Sequence, residues 1–356
     1  MKLKFLIYIS YSYALPIGNP LETEILKRGY KINWFSDLNE GSNSIINKKN
    51  VLQNIREVVN YNPDIILTIT DSVPDFINAL KVQVFHGFPA NKRKGTDQFK
   101  IRGFFDLYCT QGSSSTNVFK EISKKNKTFD VIETGWSKVD PLFPLTDTDK
   151  SNIPHILVAS TFTKQYSLAL NDNIIKEIER ISKLKKWQFM IVLHPKLPTN
   201  VKEKIKNIQN EFLTYYDTTD LIPLFKKADI MFSDTTSAII EFLLQKKPVV
   251  TFNNNMPGPY LIDISEIKEI ENSIKKALKK PKELIEEIDK FAKFSHAFDD
   301  GKSSERVIDA TISFLYKDKS YLKSKPLNLI RKYKIRKKLN YYTLKSYNKP
   351  FTITKN

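Results

Sequence analysis

Apolar, strand-forming runs that alternate with amphipathic helical runs predict an α/β protein built on parallel sheets covered on both faces. Three observations carry this expectation. Short runs rich in Val, Ile, Tyr and Phe recur from residue 4 to residue 252. Helical patterns with one apolar stripe separate many of them. The alternation also occurs twice, with the two sets joined near "DPLFPLTDTDKSNIP", in a chain of 356 residues that suits two domains of ordinary size.

The first set begins with "KFLIYIS". The opening "MKLKFLIYISYSYALPIG" imitates a secretion signal, with Lys2 and Lys4 before an apolar stretch. Ser10, Tyr11 and Ser12 interrupt that stretch early, so a first β-strand is expected. "YKINWFS", "DIILTIT", "VQVFHG", "DLYCTQG" and "FDVIETG" follow as strands, with helices in "PLETEILKRG" and "VLQNIREVVNY". The second set reads "HILVAS", "WQFMIVLHP", "FLTYYD", "ADIMFSD" and "PVVTF", with helices in "NDNIIKEIERISKL" and "DLIPLFKKA". The expected organisation is two Rossmann-like domains, residues 1–146 and 147–316, with a cleft between them. Neither GxGxxG nor GxxxxGK[ST] occurs, so a dinucleotide fingerprint and a P-loop are unsupported.

The hydrophobic fraction of 41% is enough for sizeable cores, and the single cysteine, Cys109, excludes an intramolecular disulfide and suits a reducing cytoplasm. No run of about eighteen apolar residues would span a membrane. The net charge of +18 is uneven: residues 317–356 hold thirteen Lys or Arg and one acid, Asp318, giving +12 and leaving +6 elsewhere. This tail interleaves cations with Leu, Ile, Tyr and Phe, and Pro326 is placed to open a helix. It is expected to associate with an anionic membrane surface, where each Lys or Arg contributes about 1 kcal/mol. Nucleic acid would attract the same charge, but no recognised nucleic-acid module is present, and no such partner is expected.

Open α/β sheets present ligands at strand ends, and several segments place polar residues there. "VFHGFPANKRKG" puts His86 just past a strand, where a neutral imidazole serves as a base, with Lys92 close behind. "IVLHPKLP" puts His194 at a second strand end. In "ILVASTFTKQYS", Ser160, Thr161 and Lys164 offer substrate contacts, or the hydroxyls cap a helix. "DIMFSDTTSAIIEFLLQKKPVVTF" places Asp234, Thr235, Thr236 and Ser237 at a strand-to-helix turn, where unpaired N–H groups and the helix dipole favour phosphate. Glu241, one turn beyond Ser237 and amid apolar residues, suits a ribose contact rather than an open face. In "HAFDDGKSSERVIDA", Ser303 or Ser304 caps a helix and Arg306 lies near its start. A cation there needs an anion: a bound phosphate, Asp299 or Asp300.

The ordered set "FHG…KG", "TGWSKVDPLF", "ILVASTF", "LHP", "ADIMFSDTTSAIIEFLLQKKPVVTF" and "DDGKSSERVID" resembles the CDP-glycerol glycerophosphotransferase family, from about residue 82 to residue 312. That resemblance implies the GT-B architecture, with two Rossmann-like domains facing across a cleft. It implies transfer of glycerol phosphate from CDP-glycerol to a hydroxyl of a lipid-linked acceptor in teichoic acid or capsule synthesis, releasing CMP. His86 matches the family's catalytic base and His194 a second functional histidine. Residues 234–237 match the donor phosphate site, and Ser303, Ser304 and Arg306 its second wall. The chain departs from the family's Asp-Tyr-Ser-Ser at 234–237. The alternative is a GT-B glycosyltransferase using a CMP- or UDP-sugar. The resemblance implies no cofactor beyond the donor and a cytoplasmic enzyme on the inner face of the cell membrane. No dense carboxylate cluster marks a metal site.

Overall fold

In the computed structural model, residues 2–89, 97–102, 104–145 and 152–353 are described. The chain divides into two compact units. The first joins Met1–Pro89, Thr96–Asp140 and His296–Asn356, and the second is Pro141–Ser295 among the described residues.

The first unit is built on six parallel strands: β1 (Lys4–Ile9), β2 (Lys31–Ser36), β3 (Ile65–Thr68), β4 (Leu80–Gln83), β5 (Leu107–Thr110) and β6 (Asp130–Glu133), in the order β2-β1-β3-β4-β5-β6. Phe5, Leu6 and Ile7 of β1 and Ile65, Ile66 and Leu67 of β3 are fully buried, as a central strand covered on both faces requires. The second unit repeats the plan with β7 (His155–Ser160), β8 (Gln188–Leu193), β9 (Leu213–Tyr216), β10 (Ile230–Ser233), β11 (Val249–Phe252) and β12 (Ile262–Ile264), in the order β12-β11-β10-β7-β8-β9. Its core packs Ile174, Ile178 and Ile181 of the helix Asp172–Ser182 against Ile156, Val158 and Phe189 of the sheet. In this sheet β7 lies between β8 and β10, so the strand order reverses between β7 and β10. Their carboxyl ends are where such a sheet admits a ligand. Two parallel α/β sheets are what the alternating pattern predicted.

Three expectations need correction. Residues 296–316, assigned from the sequence to the second domain, belong to the first unit. The helix Ser303–Tyr316 buries Val307, Ile308, Phe314 and Leu315 there, and Asp309 pairs with Arg28, which follows the helix Leu15–Lys27. The tail at 317–356 is not a separate module either, because its cations answer acids of the first unit. Lys317 meets Asp130 at 2.9 Å, Lys338 meets Asp37 at 2.6 Å, and Lys325 pairs with the buried Asp106. Lys332 and Arg336 both face the buried Asp75. Buried carboxylates need counter-charges, and the tail supplies them. Finally, the tail helix runs Leu329–Lys338, so it starts three residues after Pro326 rather than at it.

Candidate functional site

In the second unit, β10 ends at Ser233 and the chain turns through Asp234–Ser237 into the short helix Ala238–Leu243. Asp234 is fully buried, and its carboxylate accepts from Ser160 Oγ (2.8 Å), from the backbone N–H of Thr161 (3.0 Å) and Leu168 (3.1 Å), and from the next N–H, Thr235 (2.6 Å). Burial pushes its carboxyl above the ordinary value, while those four donors pull the other way. Asp234 was expected to touch donor phosphate. A buried carboxylate that braces the loop after β7 does not do so, and it would repel phosphate. Ser160, expected to touch substrate, is likewise committed inside the fold, to Asp234 and to Ser167 at 2.9 Å.

The three following residues remain at a surface. Thr235, Thr236 and Ser237 line a cavity of about 520 Å³ together with Thr161, Thr163 and His194. Thr235 Oγ1 accepts from Asn255 N at 3.1 Å, and Asn254 Nδ2 donates to Asp234 O at 2.7 Å, which ties the turn to the loop after β11. The rest of the lining is largely aromatic and apolar, with Phe162, Tyr166, Ile239, Ile240 and Met256 as well as Tyr260 and Phe291. Those last two rings stack at 3.8 Å between centroids. Polar donors together with flat aromatic surface suit a molecule that is part anion and part ring.

His194 lies at the end of β8, its ring 4.4 Å from that of Phe162. Its Nδ1 accepts from Lys196 N at 3.1 Å, so a neutral ring carries its proton on Nε2. Burial, with Lys196 and Lys202 nearby, lowers its pKa below the ordinary imidazole value. At neutral pH it is therefore an uncharged hydrogen-bond donor on this cavity wall. Lys164 lines a different hollow of about 400 Å³ with Asn171 and Asn253. Glu241 is buried, as its apolar neighbours predicted, and it is not among the residues lining the larger cavity.

In the first unit, the chain leaves β4 through Phe85, whose φ of 61° is left-handed, and presents a half-exposed His86. His86 Nδ1 lies 3.7 Å from Asp71 Oδ1, Asp71 also accepts from Arg102 at 2.8 Å, and the Tyr13 ring is 5.7 Å from the imidazole. A carboxylate beside one ring nitrogen can orient the ring, the arrangement a general base uses. Lys92, the cation expected near His86, lies outside the described residues.

The helix start at Ser303 has its anion already. Asp140 accepts from Ser303 N (2.8 Å), Ser304 N (2.8 Å) and Ser304 Oγ (2.7 Å). Ser303 and Ser304 were expected to form a wall of the phosphate site. The structure corrects this, because a side-chain carboxylate fills the place a phosphate would take. Gly135 makes room for that junction: its φ is +80°, and a Cβ there would come 2.4 Å from Ser303 Oγ. His296 is structural, accepting from Trp136 N at 2.9 Å and donating from Nδ1 to Phe298 O at 2.6 Å. Arg306 takes the Asp300 alternative, with its guanidinium 3.7 Å above the Phe298 ring. Among the described residues its Nη1 is buried without a hydrogen-bond partner.

Sequence reasoning missed Asp71, Asp140 and the Tyr260–Phe291 pair. Asp71 follows the strand "DIILTIT" directly, so the strand-end rule that found His86 would have found it too. Asp140 and Tyr260 act through partners far along the chain, and spacing carries no signal for those. No group of three or more His, Cys, Asp or Glu able to hold a metal occurs among the described residues.

A family model described as UDP-N-acetylglucosamine 2-epimerase matches residues 117–312. No curated protein matches the chain. Solved structures do. A Listeria monocytogenes protein assigned as a UDP-N-acetylglucosamine 2-epimerase aligns at a TM-score of 0.60, with 14% identity over 88% of this chain and 96% of that one. The wall teichoic acid polymerase TagF aligns at 0.59, with 14% identity over 88% and 89%. The UDP-GlcNAc 2-epimerase of Neisseria meningitidis, bound to UDP-GlcNAc, aligns at 0.56, with 16% identity over 87% and 100%. These likenesses establish the GT-B type of fold that the sequence predicted. The matched model is that of the epimerase, which by itself does not speak to the expected glycerol phosphate chemistry.

Proposed function

The chain belongs to the UDP-N-acetylglucosamine 2-epimerase family, and from that premise we propose that it acts on a nucleotide-activated sugar. The reading is that it epimerises carbon 2 of a UDP-linked N-acetylhexosamine. The observation that carries it is the cavity of the second unit, which falls wholly inside the matched residues. In this reading the diphosphate takes the hydroxyls of Thr235, Thr236 and Ser237 and the Nε2–H of His194, and the uracil packs on aromatic lining residues such as Tyr260. Each neutral hydrogen bond contributes about 0.5–1.5 kcal/mol, and more when the acceptor is charged. Thr161, on the cavity wall, remains assigned to substrate, whereas Glu241, expected at the ribose, does not line this cavity.

Loss of the carbon 2 proton with cleavage of the C1–O bond gives an unsaturated sugar and UDP. Re-addition of UDP at carbon 1, with return of a proton to the opposite face of carbon 2, makes the reaction a net isomerisation with no co-substrate. His86, oriented by Asp71, is assigned the proton removal. Neutral donors such as His194 suit a departing diphosphate, because they stabilise its charge as that charge forms.

One observation favours a second reading. The family match begins at residue 117 and leaves out His86 and Asp71. A histidine with a carboxylate partner also suits deprotonation of an acceptor hydroxyl. That is what transfer of glycerol phosphate from CDP-glycerol to a lipid-linked acceptor requires, with CMP as the product. A single comparison separates the readings. UDP-N-acetylglucosamine is incubated with the chain in D2O and followed by NMR for deuterium at carbon 2 and for the 2-epimer. CDP-glycerol with a lipid-linked hydroxyl acceptor is followed for CMP. Deuterium exchange with epimer formation supports the first reading. CMP release without exchange replaces it with the second, and UDP release with sugar transfer identifies a glycosyltransferase.

A further inference from the structure

The helix Leu329–Lys338 is amphipathic in reverse. Its inward face carries Lys332, Ile335 and Arg336. Arg336 donates to both oxygens of the buried Asp75, at 2.7 and 3.1 Å, and Lys332 Nζ lies 3.6 Å from the same carboxylate. Ser346 and Asn348, from the segment beyond the helix, complete the cluster, and Ser346 Oγ donates to Asp75 at 2.7 Å. The outward face carries Leu329, Ile330 and Tyr333, which are 68%, 73% and 57% exposed, and Leu327 just before the helix is 64% exposed. Lys334 and Lys337 are exposed on the same helix.

The ion pairs set the rotation of this helix. Rolling the apolar side chains inward would withdraw Lys332 and Arg336 from Asp75 and leave a buried carboxylate without a counter-charge. The fold therefore holds an apolar ridge in water, against the tendency of large apolar side chains to leave it. Residues 319–356 contain no Asp or Glu, so the cations around the ridge meet no acid of the tail itself. A second copy of this face would oppose cations to cations. A helix of ten residues is about 15 Å long and cannot span a bilayer, but it lies readily in an interface.

We propose that this face, with Leu327, Leu329, Ile330 and Tyr333 as its apolar ridge and Lys334 and Lys337 as its cations, docks the protein on an anionic lipid surface. The inference rests on the C-terminal segment alone, so it holds whichever reaction the enzyme performs.

The test uses the full chain and sedimentation with vesicles of phosphatidylcholine, with and without phosphatidylglycerol. The chain should pellet with the anionic vesicles only, and less so as salt rises. Lys334→Ser with Lys337→Ser should weaken binding roughly 30-fold, at about one kcal/mol for each cation. Leu329→Ser, Ile330→Ser and Tyr333→Ser together should abolish binding while circular dichroism stays that of the parent. All these positions are exposed, so the variants should fold. Equal pelleting of the triple-serine variant would overturn the proposal, as would failure of the parent to bind. Light scattering that shows a dimer dispersed by the triple change would assign the face to a second copy. Salt-sensitive RNA binding by a parent that leaves vesicles in solution would assign it to nucleic acid.

Discussion

Asp234→Ala tests whether this carboxylate is a brace rather than a ligand contact. The substitution removes the acceptor for the backbone N–H groups of Thr161, Leu168 and Thr235, whereas Ser160 Oγ keeps Ser167 as a partner. A buried donor left unsatisfied costs about 1–3 kcal/mol, so three would cost about 3–9 kcal/mol. Two effects reduce that total. The variant no longer buries a charge that burial disfavours, and water from the adjoining cavity can reach part of the loop. A loss of about 3–5 kcal/mol follows. For a unit of this size that corresponds to a fall in Tm of roughly 6–20 °C. Thermal melting by circular dichroism reads the shift, and titration with UDP reads the cavity, whose wall includes Thr161 and Thr163. Asp234→Asn keeps one acceptor oxygen and should lose less. A variant Asp234→Ala that melts within about 2 °C of the parent would refute the brace.

Three further outcomes follow from the same geometry. His155, His194 and His296 all have lowered pKa values, with burial the largest cause in each. The unfolded chain therefore binds protons more readily, and stability should fall as pH drops below about 6.5, read as Tm against pH. His86→Gln should lower turnover roughly 100- to 10,000-fold while UDP still binds, measured by kinetics beside calorimetry; turnover near the parent's would remove His86 from the reaction. Gly135→Ala places a Cβ against Ser303 Oγ at a left-handed backbone position. It should cost about 1–3 kcal/mol and lower the Tm.

Both sheets were legible because a strand covered on two faces must be continuously apolar, and "FLIYI", "IILT" and "HILVAS" say so without context. The strand β12 was missed because it has only three residues and pairs on one side. Domain assignment failed for residues 296–356 for a different reason. Periodicity reports which face of a helix is buried, not which sheet buries it. In the site, the strand-end rule located His194 and Thr235–Ser237, which do share one cavity. It erred at Asp234, Ser303 and Ser304 because a polar residue at a helix start can bind a ligand or hold the fold together. Only knowledge of the partners, Thr161 and Leu168 in one case and Asp140 in the other, separates the two.

Those misreadings share one physical cause. Phosphate and carboxylate make the same demands of a helix start: N–H groups, hydroxyls and a favourable dipole. In a chain of net charge +18, carboxylates are the scarcer charge. Asp75, Asp106 and Asp234 are buried, where each meets cations or backbone donors of the fold. An acid used in this way rigidifies a loop and adds little negative potential to the surface. With 57 Lys and Arg against 39 Asp and Glu, the chain still carries an excess of cations after its many surface ion pairs are made. Anionic ligands are attracted to such a surface before any specific contact forms. A nucleoside diphosphate at the cavity and an anionic lipid at the tail helix would thus exploit one excess of positive charge, to which the burial of acids such as Asp75, Asp106 and Asp234 contributes.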